Sequence, residues 1–131
     1  MAIDYRRGRH SVTNLMSHLI FVPKYRRDIF TSESLAAIKE SMLVVAESMN
    51  FKIIEFNGES DHVHLLIEYP PKLSISTLVN HLKGVSSRIY RQKNFKSPHK
   101  EHLWSPSYFA VSVGGAPLDV LMQYIKDQKS P

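Results

Sequence analysis

The chain contains no cysteine. Disulfides, thiolate metal sites and cysteine nucleophiles are therefore excluded, and histidine, carboxylate and amide groups remain as the side chains able to ligate a metal. No apolar run approaches the roughly 20 residues a helix needs to span a bilayer. The opening MAIDYRRGRH carries arginines but no following apolar stretch of signal-peptide type, so the expectation is a soluble, cytoplasmic protein. Acidic residues are missing where bases cluster. Residues 81–100 hold Lys83, Arg88, Arg91, Lys93, Lys96 and Lys100 and no Asp or Glu, and residues 1–27 hold Arg6, Arg7, Arg9, Lys24, Arg26 and Arg27 against Asp4 alone. The acids are concentrated in residues 28–71, and the whole carries a formal charge of +5. Two basic segments on a small domain suit a polyanion, nucleic acid first, because a row of phosphates releases counterions to clustered cations. Solubility alone is the competing explanation.

At 131 residues the chain is the size of one domain, with no second core expected. VTNLMSHLIFV, residues 12–22, is apolar, partly β-branched and stopped by Pro23, as a buried strand would be. TSESLAAIKESMLVVAESMN follows as a helix: Thr31 or Ser32 can cap it, Leu35, Ile38, Met42, Val45 and Met49 recur at helical spacing, and Asn50 can end it. Residues 51–56 and 62–69 read as two strands joined by a turn containing Gly58. A second helix spans about 74–92, with Ile75, Leu78, Leu82, Val85 and Ile89 as its apolar stripe and Lys83, Arg88 and Arg91 projecting elsewhere. A fourth strand is expected at 108–113. Gly114 and Gly115 then break the chain, and Pro117 opens a terminal helix over 117–129. Strand, helix, strand, strand, helix, strand is the order of a ferredoxin-like split βαβ sandwich, an antiparallel sheet with both helices on one face. The other face is left for function. Residues 1–131 thus form a single α+β domain with a link at 113–116 to the last helix.

Within the third strand, SDHVHLLIEY sets His62 and His64 on one face with Leu66 and Glu68, while Val63, Leu65, Ile67 and Tyr69 line the other. Two imidazoles side by side are either two-thirds of a metal site or a pair of polar residues meeting water. In the terminal helix Tyr124 and Gln128 lie one turn apart on one face. A glutamine amide oxygen can be the third ligand, and two nitrogens with one oxygen suit manganese, magnesium with some strain, or zinc. A phenolate beside such a metal can attack a phosphodiester. The alternative places the Tyr124 ring at a core boundary with a wet hydroxyl, and leaves Gln128 on the surface.

HSVTNLMSHLIFVPKYRRDIF, DHVHLLIEYPP, SISTLVNHLKGVSSRIYR, LWSPSYFAVSVGG and YIKDQ together resemble the single-tyrosine HUH transposases of bacterial and archaeal single-strand insertion sequences, the TnpA type. The resemblance covers nearly the whole chain. It implies that His62, His64 and Gln128 hold a divalent metal, magnesium or manganese, and that Tyr124 is the nucleophile that forms a 5′-phosphotyrosine link while releasing a 3′-hydroxyl. It further implies single-stranded DNA with hairpins at the element ends as substrate, a homodimer whose terminal helices can complete each other's sites, and cytoplasmic, nucleoid-associated work.

Phosphate contacts are expected from Arg6, Arg7, Arg9, Lys83, Arg88 and Arg91, and base stacking from Tyr5, Phe95, Trp104 or Tyr108, with Trp104 and Tyr108 equally able to fill the core edge. Asp61 either orients the His62 imidazole or ends the turn. His18 is read as a satisfied core histidine. Two other readings stand beside the transposase: a non-catalytic hairpin DNA- or RNA-binding module on the same fold, and a metal hydrolase using activated water.

Overall fold

The structure, a computed structural model, describes residues 5–113. Two short strands, β1 (Arg6–Arg7) and β2 (Val12–Thr13), form an N-terminal hairpin. They precede β3 (Leu15–Phe21), α1 (Ser32–Met49), β4 (Lys52–Glu59), β5 (His62–Tyr69), α2 (Ile75–Gln92) and β6 (Phe109–Ser112). The last six elements form the split βαβ sandwich, with a four-stranded sheet in the order β4-β5-β3-β6 and every neighbouring pair antiparallel.

Each helix begins where its cap chemistry dictates. The Thr31 hydroxyl accepts from the Ser34 amide at 3.1 Å and the Ser34 hydroxyl accepts from the Thr31 amide at 2.9 Å, a reciprocal box that satisfies two donors at the start of α1. Asn50, in the left-handed region at φ 58°, ends it. Ser74 caps α2 by accepting from the Thr77 amide.

The core lies between the sheet and the two helices. Leu19 and Phe21 of β3 and Val63, Leu65 and Ile67 of β5 meet Ile38, Met42 and Val45 of α1 and Leu78 and Leu82 of α2. The α2 stripe is rotated from its expected position: Ser86, Ser87 and Tyr90 are buried, whereas Val85 and Ile89 are only partly so. Buried serines are tolerable here because Ser86 Oγ donates to the Leu82 carbonyl at 2.6 Å and accepts from Trp104 Nε1 at 2.9 Å. Trp104 accordingly fills the core edge, Phe95 packs on Tyr90, and Tyr108 stays 40% exposed.

Two further expectations are corrected. The first strand is divided, with Val12–Thr13 pairing back onto Arg6–Arg7 rather than running on into the sheet. Gly58 lies in β4 opposite Val63, not in the turn, which is Ser60-Asp61. A Cβ at Gly58 would stand 2.5 Å from Leu35 Cδ2, so the glycine serves the close approach of α1 to the strand. The link at Gly114–Gly115 and the terminal helix over 117–129 lie outside the described residues.

Leu65, fully buried between sheet and helices, sets the scale of core packing. Leu65→Ala is expected to destabilise the fold by about 2–5 kcal/mol, against less than about 1 kcal/mol for Leu43→Ala on the exposed face of α1. Urea denaturation curves for both variants check the contrast.

Candidate metal and DNA site on the sheet face opposite the helices

Strand alternation sorts β5 as its sequence requires. Val63, Leu65 and Ile67 enter the helix-side core, and His62, His64, Leu66 and Glu68 face the other way. The register brings Ile20 and Asn57 opposite His64, and Glu59 opposite His62, so β3 and β4 flank the pair. The two imidazoles stand with ring centroids 4.6 Å apart, and both residues are buried.

Each ring has its Nδ1 engaged by a neighbour. Asp61 Oδ1 lies 2.7 Å from His62 Nδ1, and Arg26 Nε donates to the other oxygen of the same carboxylate at 3.3 Å. Asp61 therefore both lies in the hairpin turn and hydrogen-bonds the His62 imidazole. Burial pushes the Asp61 carboxyl upward, but the hydrogen bond and charge of His62 and the cation of Arg26 outweigh it and leave the group below its ordinary range. His62 Nε2 is buried with no hydrogen-bond partner among the described residues, and Glu59 Oε2 stands 3.7 Å away. A buried nitrogen lone pair facing a carboxylate, on a ring fixed through its other nitrogen, fits a divalent cation.

His18, read from the sequence as a core residue, is buried but belongs to this face. Its Nε2 is 3.2 Å from His64 Nδ1. Burial holds the His18 imidazole below its ordinary value, partly offset by the Glu55 carboxylate. Ligation through His64 Nε2 requires the tautomer in which Nδ1–H donates, and an unprotonated His18 Nε2 can accept that hydrogen bond. His18 and Arg26 could have been found only from the tertiary fold, since they are 46 and 35 residues along the chain from the partners they touch; Glu59 is three residues from His62 and is brought opposite it by the tight β4–β5 turn.

Tyr124 and Gln128 lie outside the described residues. A separate loop cluster, His99, Glu101 and His102, brings three donor atoms within 4.8 Å of one another, but there His99 Nδ1 accepts the Glu101 amide at 3.0 Å and the cluster is largely exposed. The basic residues divide by what they touch. Arg6 grips Glu68 with two 2.7 Å hydrogen bonds, which raise its pKa further and fasten the N-terminal hairpin to the far end of the histidine face. Lys83 Nζ donates to the carbonyls of Ser105 and Ser107 at 2.6 and 3.2 Å, and burial lowers its pKa. Arg7, Arg9 and Arg88 are exposed, and Arg91 borders a groove of about 330 Å³ between α2 and residues 101–106.

The family model for IS200-like transposases matches residues 11–128. The chain belongs to the IS200-like transposase family. The transposase for insertion sequence element IS200 of Salmonella typhimurium is 36% identical over a 129-residue alignment that covers 95% of this chain and 84% of that protein. The ISDra2 transposase TnpA of Deinococcus radiodurans is 30% identical over 132 residues, covering 98% of this chain and 94% of its own length. Among solved structures, a putative transposase from Deinococcus radiodurans superposes with a TM-score of 0.76 at 30% identity, covering 96% of this chain and 99% of that one. A REP-associated tyrosine transposase bound to a REP hairpin has a TM-score of 0.65 at 13% identity, over 95% and 68% of the two chains, and shares the fold. As an IS200-like transposase the protein is a DNA-processing enzyme of transposition. Among the described residues no helix is long and apolar enough to cross a membrane.

The lowered pKa of His18 predicts how stability varies with pH. Because the folded state disfavours the charged imidazole, the unfolded chain binds the proton first, and stability falls as pH drops through the ordinary value of 6.5. Between pH 7 and 5 the thermal midpoint should fall, and His18→Leu should flatten that slope. Equal slopes in wild type and variant would remove His18 from the account.

Proposed function

We propose that the protein cleaves and rejoins single-stranded DNA at insertion-sequence ends, with Tyr124 as nucleophile and with His62, His64 and Gln128 as the ligands of a magnesium or manganese ion. The observation that carries the reading is the pair of buried imidazoles on the sheet face opposite the helices, each oriented through Nδ1 by Asp61 or His18. Such an ion supplies Lewis-acid polarisation of a non-bridging phosphate oxygen.

The remaining chemistry is the chain's own. The Tyr124 oxygen attacks phosphorus and gives up its proton, the bond to the DNA 3′ oxygen breaks, and that oxygen takes up a proton to leave as a 3′-hydroxyl. The strand stays joined to the enzyme through a 5′-phosphotyrosine, which conserves the phosphodiester for rejoining by the reverse attack of another 3′-hydroxyl. Hairpins near the element ends are the recognised shapes, and a homodimer with shared sites brings two ends together. Since Arg6 and Lys83 are engaged inside the protein, phosphate contact falls mainly to Arg7, Arg9, Arg88 and Arg91.

Incubation of wild type with a labelled single-stranded element end and Mn²⁺ should give a protein-linked strand on a denaturing gel. Tyr124→Phe, or chelation of the metal, should abolish the adduct while hairpin binding is retained. An absent wild-type adduct would favour the binding-module reading, and cleavage persisting in Tyr124→Phe would favour activated water.

Hairpin affinity should also fall steeply between roughly 50 and 200 mM salt, because several phosphates are neutralised at once. A flat titration would exclude the basic segments as the DNA surface.

A further inference from the structure

The segment Pro23-Lys24-Tyr25-Arg26-Arg27 turns sharply beside the histidine face. Tyr25 has φ 64° and ψ 12°, and Arg26 follows at φ 48°. For residues with a Cβ this left-handed conformation is strained, and a bulky side chain is a marked outlier there. Glycine or asparagine would relieve the strain.

The strain persists because the turn is fastened on both sides. The Lys24 amide donates to the Leu103 carbonyl at 2.8 Å and the Arg26 amide to the Pro23 carbonyl at 2.7 Å, while Ile29 and Phe30 both donate to Ser60, the residue before Asp61, at 2.9 Å. The conformation has two consequences. Arg26 reaches Asp61, which holds His62, so one peptide bond and two hydrogen bonds separate Tyr25 from the His62 imidazole. The Tyr25 ring is left 63% exposed, with Lys24 Nζ 5.6 Å and Arg27 Cζ 5.7 Å from its centroid. A large aromatic ring that contributes nothing to the core, held out by strained backbone between two cations, has the composition of a single-strand platform: a π face for a base and positive charge for the phosphates on either side.

We propose that the turn over residues 24–27 binds the single strand beside the metal site, with Tyr25 stacking on an unpaired base and Lys24 and Arg27 contacting the flanking phosphates. The proposal rests on the reading that the substrate is single-stranded DNA. It assigns a role to a residue that sequence reasoning passed over in favour of Tyr5, Phe95, Trp104 and Tyr108.

The test is metal-free binding of oligonucleotides carrying 2-aminopurine at successive positions, read by fluorescence and by affinity. Wild type should quench the probe at one position near the cleavage site. Tyr25→Asn, which suits the left-handed backbone, should keep or raise the thermal midpoint, lose the quenching and weaken single-strand binding by about 5- to 100-fold, the range for one lost base stack. Tyr25→Phe should retain quenching and affinity, and binding of a hairpin without single-stranded flanks should be the same in all three proteins. The proposal is overturned if Tyr25→Asn quenches and binds as wild type does, if its loss of binding comes with a lower thermal midpoint, or if Tyr25→Phe fails as Tyr25→Asn does. Failure of the transposase chemistry would appear separately, as wild type that forms no Tyr124 adduct whatever its probe fluorescence.

Discussion

The antiparallel register of β3 and β5 is the constraint on which the site depends. It sets Leu19 against Leu65 and Phe21 against Val63 on the helix side, and Ile20 against His64 and His18 against Leu66 on the other. A slip of one residue would move every side chain of β5 to the opposite face, burying two imidazoles among leucines and turning the core strand outward. Burial of Val63, Leu65 and Ile67 forbids that slip. The same hydrophobic free energy that folds the domain therefore aligns His62 with His64 and brings His18 against them.

Around that pair the protein arranges groups that orient without competing. Asp61 holds one imidazole and is itself held by Arg26, while His18, whose pKa burial holds below the ordinary value, stands against the other. Carboxylate or imidazole partners on the inner nitrogen fix which ring nitrogen can bind a metal. The arrangement joins β3 and the turn that follows it to the β4–β5 hairpin, across separations of 46 and 35 residues.

The basic character of the chain serves two purposes that composition cannot separate. Arg6 and Lys83 spend their charge inside the molecule, one pinning the N-terminal hairpin to Glu68 and the other holding the carbonyls of residues 105 and 107. Arg7, Arg9 and Arg88 remain on the surface, and they are among the cations proposed above for phosphate contact. Buried or bidentate cations act as struts, and exposed ones are available to a polyanion.

Local patterns were legible in the sequence. Helical spacing marked α1 and α2, Thr31 and Asn50 marked the ends of α1, alternation placed both histidines on one face, and the order of elements implied the split βαβ sandwich; all of these are governed by contacts within a few residues along the chain. The role of Gly58, the rotation of α2 toward Ser86 and Tyr90, and the division of the first strand were not legible, because each depends on a partner from another element: Leu35, Trp104 and Lys96, and Arg6–Arg7 respectively. Tyr124 and Gln128 stand on sequence alone. By itself the sequence determined the paired imidazoles, since strand periodicity is a local property. Only tertiary structure decided that His18 and Arg26 join them, because hydrogen bonds and desolvation act through distances that folding, not chain order, creates.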